Sequence, residues 1–121
     1  MTYRALLTTY RRLIFTRHEF RASSLSATES ERRLLQVLHA QNQAALSALA
    51  HPMRTLLADI DDRRTLHIIQ QYYVKGMTDS AIAAQMHLTG ARVNQLRQQY
   101  LRQFADREVE KVDCQGAKEV V

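Results

Sequence analysis

Helix breakers are scarce in this 121-residue chain, which holds three glycines and one proline. So few positions that stop or bend a helix imply helices joined by short turns, and no stretch alternates as a half-buried strand would. Cysteine is almost missing too. The lone Cys114 cannot form an internal disulfide, which makes a reducing cytoplasm the expected compartment. Cys114 has no ligand company, and His18, His39, His51, His67 and His87 fall at no metal-ligand spacing, so neither metal nor cofactor is expected. No apolar run approaches the roughly 20 residues of a membrane span. The N-terminus leads into an arginine-rich amphipathic segment without a small-residue cleavage site, so neither a membrane partner nor a secretory leader is expected.

What the chain does have is an ordinary apolar share of 45% and a surplus of arginine. Seventeen Lys and Arg against twelve Asp and Glu give +5. From Asp106 onward three bases face five acids, so the body before it carries +7. Only Lys75, Lys111 and Lys118 are lysine. A basic body of this kind suits a polyanionic partner.

The first helix is expected from about Tyr3 to Arg21, with Leu6, Leu7, Tyr10, Leu13 and Ile14 on one face and Arg4 and Arg11 on the other. After a polar break at 23–28, Thr28 and Glu31 have capping-box spacing and open a second helix. That helix is expected to reach about Ala50 and stop at His51-Pro52, where Pro52 starts a further short helix burying Met53, Leu56, Leu57 and Ile60. Asp61 and Asp62 supply caps for a helix ending near Val74, with Lys75-Gly76 as its stop. The 106–121 segment lacks periodicity and reads as a flexible tail.

Residues 78–96 carry the strongest signal. A helix-turn-helix needs a small residue where two helices touch, apolar inner faces and a tight turn. Ala83 is the small contact; Ile82, Met86, Leu88, Val93 and Leu96 point inward; Thr78 and Thr89 are each placed to cap a helix. The turn position that favours positive φ is His87 instead of glycine, a residue that tolerates that region better than most. The expected fold is therefore all-α, a small helical bundle with a C-terminal helix-turn-helix. Its parts are an N-terminal helical part for core or oligomerisation at 1–60, a DNA-binding part at 61–105 and the tail.

Met77 to Phe104 resembles the promoter-reading fourth region of bacterial housekeeping sigma factors. The likeness rests on Thr78 and acidic Asp79, the Ile82-Ala83 pair, Thr89 leading the second helix, and the closing Leu101-x-x-Phe104. Tyr72–Gly76 and Tyr100–Phe104 extend it, over roughly a quarter of the chain. The first 60 residues lack the aromatic-rich basic helix with which sigma factors melt promoters. In layout the chain resembles the ArpU/RinA-type regulators of phage and mobile elements. That resemblance implies a transcriptional regulator that binds promoter-proximal double-stranded DNA and switches on late or structural genes.

At about 100° per residue, Val93, Leu96, Tyr100 and Phe104 form one stripe of the second helix and read as core. Ala91, Arg92, Asn94, Gln95 and Gln98 face outward and are the candidate base readers; asparagine and glutamine match the adenine edge and arginine matches guanine. Thr78, Ser80, Thr89, Gly90 and Arg102 are candidate backbone contacts. Arg97 falls near the core side and is expected to lie along apolar surface or to pair internally.

The front half leaves its partner open. Leu35, Asn42 and Leu49 with Leu38 and Ala45 spell a two-heptad seam, too short to require a coiled coil, so packing within one chain is the favoured explanation and a homodimer the alternative. Two rivals to a regulator are a phage terminase small subunit, which would form a ring, and a sigma-like module that binds RNA polymerase. An enzyme is not expected: adjacent Asp61 and Asp62 read as helix caps, and no nucleophile–base set or phosphate loop is present.

Overall fold

The computed structural model of the chain describes residues 1–109. Over that span the protein is all-helical: α1 (Tyr3–Ser24), α2 (Glu29–Ala58), α3 (Arg63–Ile69), α4 (Asp79–Met86) and α5 (Gly90–Phe104). A π-helical segment, Gln70–Val74, continues α3. Among the described residues no helix is long and apolar enough to cross a membrane.

Each helix starts where a short polar side chain can take an otherwise unpaired amide. Thr2 accepts from Ala5, Asp62 from Thr65, Thr78 from Ala81 and Thr89 from Arg92. Thr28 and Glu31 form the reciprocal capping box. Of the two aspartates expected to cap α3, Asp62 does so, and its carboxyl is held below the usual range by hydrogen bonds from the Thr65 hydroxyl and amide.

Two boundaries differ from expectation. α1 runs on to Ser24, and α2 passes through Pro52 without stopping. Proline inside a helix removes one i→i−4 bond and costs about 3 kcal/mol. Continuation past it buries Met53 and Leu56, each of which contributes about 1.5–3 kcal/mol. The carbonyl left without its donor is that of Ala48, on the exposed side of α2.

The core has two connected parts. The first joins Tyr3, Leu6 and Leu7 of α1, Met53 and Leu56 of α2, Ile69 and Tyr73, and Tyr100, Leu101 and Ala105 at the end of α5. The second is smaller, with Ile68, Ile82, Ala83 and Val93 surrounded by Tyr72, Met77, Met86, Leu88 and Leu96. The α1–α2 hairpin closes through Asn42, which is buried and donates its side-chain amide to the Leu13 carbonyl at 3.0 Å. Leu49, of the same heptad seam, packs on the first core.

The start of the expected tail is tied down. The amide of Tyr3 donates to the Arg107 carbonyl at 2.8 Å, that of Arg4 to Ala105 at 2.9 Å and that of Val109 to Met1 at 2.8 Å. The Met1 ammonium pairs with Glu108 at 3.1 Å. These bonds need the chain start as partner, which no local pattern around 106–109 reveals. The remainder of the expected tail, 110–121, lies outside the described residues.

Candidate functional site

The site is built on α4, a three-residue turn and the first half of α5. His87 ends α4 in the left-handed region, at φ 57° and ψ 40°. The amide of Leu88, one residue later, donates back to the Ala83 carbonyl at 3.0 Å. Thr89 then caps α5 through the Arg92 amide at 3.1 Å. Between the helices Ile82, Ala83 and Val93 are buried. Gly90 lies against Ser80: a Cβ there would sit 3.6 Å from the Ser80 hydroxyl oxygen, an ordinary contact.

Behind this pair sits a partly buried polar network. Arg97 is 6% exposed and lies on the inward side of α5. Its guanidinium grips Asp79 at the start of α4, with Nε 3.3 Å from Oδ1 and Nη2 2.9 Å from Oδ2. The Asn94 amide adds a bond to the same carboxylate at 3.1 Å. Burial alone would push the Asp79 carboxyl up. The hydrogen bonds from Arg97 and Asn94, with the charges of Arg97 and Arg11, outweigh it and hold the carboxyl below its usual value.

Tyr72 lies between two cations. The guanidinium carbons of Arg11 and Arg97 stand 3.7 and 3.8 Å from its ring centroid. Groups that close would overlap on one face, so they occupy both faces of the ring. Arg11 also donates to the carbonyls of Tyr72 and Met77, where the α3 continuation ends and the chain turns toward α4. Arg11, expected on the face of α1 opposite its apolar residues, is thus held against the C-terminal half. On a helical wheel Arg11 falls about 40° from Leu7, at the edge of the apolar face, and that edge of α1 meets the end of the α3 continuation. Gly76 turns the chain here at φ 74°, where a side chain would be strained, although a Cβ would make only an ordinary 3.4 Å contact with Ile14 Cγ2.

The outer face of α5 holds the residues expected to read bases. Ala91, Arg92, Asn94 and Gln95 are exposed, and Gln98 is half-buried. Arg92 donates to Gln95 at 2.9 Å, so these two side chains present one joint polar surface. Asn94 reaches the same exposed side but spends its amide nitrogen on Asp79. Of the residues expected to touch a backbone, Thr78, Ser80, Thr89 and Arg102 are exposed and Gly90 is half-buried. Ser80 and Gly90 are brought together.

The buried stripe of α5 is rotated from the expected one. Val93, Arg97, Tyr100 and Leu101 are buried, whereas Leu96 and Phe104 are only partly so. Tyr100 lies deep enough that burial, helped by neighbouring Tyr3 and Asp59, pushes its phenol up to about 12.

No local spacing marks Asp79, Arg11 and Tyr72 as a unit. One signal was available. Arg97 sits on a core stripe and needs an acid, and Asp79 is the only acid between Asp62 and Asp106. Among the described residues no cluster of His, Cys, Asp and Glu could hold a metal ion. The chain matches no protein-family model, no curated protein and no solved structure.

Proposed function

We propose that the chain is a sequence-reading, double-stranded-DNA-binding transcriptional regulator, and that α4 and α5 work as a helix-turn-helix with α5 as the recognition helix. The observation that carries this is the outer face of α5's first half. It presents exposed Ala91, Arg92 and Gln95 on a helix whose start is fixed by the Thr89 cap and whose back is locked to α4 through Arg97 and Asp79. A side chain reads a base edge only when its helix is held in register, and both locks supply that rigidity.

Arg92 and Gln95 are the principal readers in this scheme. Gln95 matches adenine and Arg92 matches guanine or a phosphate. Asn94 already gives one amide hydrogen to Asp79, so its first role is positional. Thr78, Ser80, Thr89 and Gly90 cluster at the two helix starts, where backbone amides and small side chains suit a phosphate. Arg102 anchors farther along α5. The likeness to sigma region four and to phage and mobile-element regulators supports the same reading, and promoter-proximal DNA in the cytoplasm is the proposed target.

The test is binding of a random duplex pool followed by selection. Retention at low salt that weakens steeply as salt rises is expected, because released counterions drive phosphate contacts. On a selected site, Gln95→Ala should cost about 1–3 kcal/mol and relax preference at one base position. Arg102→Ala should weaken all sequences alike. No retained duplex at low salt overturns the proposal. RNA polymerase captured by a chain that retains no duplex would assign the surface to polymerase instead.

A further inference from the structure

Helix α2 carries a stripe that the fold does not use. Between Arg33 and Arg54 it has no Asp, Glu, Lys or Arg, a stretch of about 30 Å at 1.5 Å per residue. Much of that stretch faces outward. Leu34 is 60% and Val37 55% exposed, and Gln41, Ala44 and Ala48 are exposed as well. A helix face left to water is ordinarily charged. These five residues follow one another at intervals of three and four, the spacing of a seam between paired helices. At 100° per residue they fall within an arc of about 80°. The inward residues of α2, Asn42, Leu46, Met53 and Leu56, are already spent inside the monomer. The exposed stripe is a second seam, distinct from the one that holds α1.

We propose that two copies of the chain pair through this stripe, α2 against α2 and antiparallel. Size favours a second copy in that orientation. The stripe is bulky at its start (Leu34, Val37) and small at its end (Ala44, Ala48), so antiparallel helices set large residues of one against small residues of the other. A parallel pair would set leucine on leucine and leave a gap between alanines. Charge favours the same choice. Glu29 and Glu31 at the start of α2 are balanced by Arg32 and Arg33, so the start is neutral overall and the antiparallel pair sets Arg54 of each copy against a neutral helix start, whereas a parallel pair sets Arg54 against Arg54. Both bodies are positive, and the uncharged stripe is where they approach with least repulsion. A two-fold pair uses the stripe once on each copy and closes.

The pairing does not depend on DNA binding, and its test is run without DNA. Sedimentation equilibrium of the full chain should show a reversible monomer–dimer system. Val37→Glu combined with Ala44→Glu should abolish the dimer while leaving the helical circular-dichroism signal unchanged, since both positions are exposed. In a Cys114→Ser background, a Leu34→Cys chain mixed with an Ala48→Cys chain should form the mixed disulfide in preference to either like pair. A chain that is monomeric at its highest soluble concentration, a ring of more copies, or a dimer that survives the double glutamate change overturns the proposal. Preferential coupling of Leu34→Cys to itself overturns the antiparallel arrangement.

Discussion

His87 holds a backbone conformation that costs a side-chain-bearing residue about 1–2 kcal/mol and glycine almost nothing. It is exposed, so little packing is lost with the imidazole. His87→Gly should therefore raise stability by about 0.5–1 kcal/mol, read as a higher urea midpoint at unchanged slope. At the same scale, what a pattern reveals depends on how local its cause is. Thr78 and Thr89 were legible as caps because a hydroxyl reaching an amide three residues on is written in adjacent positions. Arg97 was legible as an inward arginine from its angle on the helix, whereas the Asn94 bond to Asp79 joins residues 15 apart in sequence. No spacing rule reaches that far.

At the level of elements, α4 and α5 are held together by a charge pair set in apolar surroundings. Removing one member leaves Arg97 buried without its counter-charge, which costs about 3 kcal/mol when such a pair is broken. Asp79→Asn should approach that loss, and it should also shrink the acid limb of the stability profile, to which Asp62 contributes as well. The sign follows from the lowered Asp79 value. Its contribution is complete above about pH 4, the unfolded carboxyl range, and disappears as pH falls through the folded value. At the other end Tyr100 acts in reverse. Its phenol stays neutral to about 12 in the folded chain, so stability declines once the unfolded tyrosine ionises above about pH 10. Urea titrations across pH, with and without the Asp79 change, separate the two limbs. The continuation of α2 through Pro52 was not legible, because a proline's local cost is visible in sequence while the Met53 and Leu56 burial that offsets it is decided by partners elsewhere. The π-helical turn at 70–74 is of the same kind: residue types there favour a helix, but one more residue per turn is a tertiary outcome.

Across the whole molecule, α1 is fastened to the C-terminal half at two places. Arg11 clasps the carbonyls of Tyr72 and Met77, and Tyr3, Leu6 and Leu7 enter a core shared with Tyr100 and Leu101. Arg11→Leu makes the chain more apolar yet should destabilise it by about 2–3 kcal/mol, because hydrogen bonds from a charged donor are lost and partly buried carbonyls are left unpaired. Calorimetric melting would show this, and an unchanged midpoint would mean that the clasp contributes nothing. The all-helical class was legible from the shortage of breakers, and the packed α4–α5 pair from its apolar spacing. The clasp was not, since one amphipathic helix does not specify which carbonyls will meet the edge of its apolar face.

The sharing of one core between the two ends of the chain sets an order of events during synthesis. Tyr3, Leu6 and Leu7 leave the ribosome well before the partners that cover them, Tyr100, Leu101 and Ala105, are made. The α1–α2 hairpin can form early from its neighbouring sequence, but it carries an uncovered apolar end until α5 emerges. A nascent chain halted before residue 100 should accordingly be sensitive to protease along α1, and release of the complete chain should bring protection there in one step.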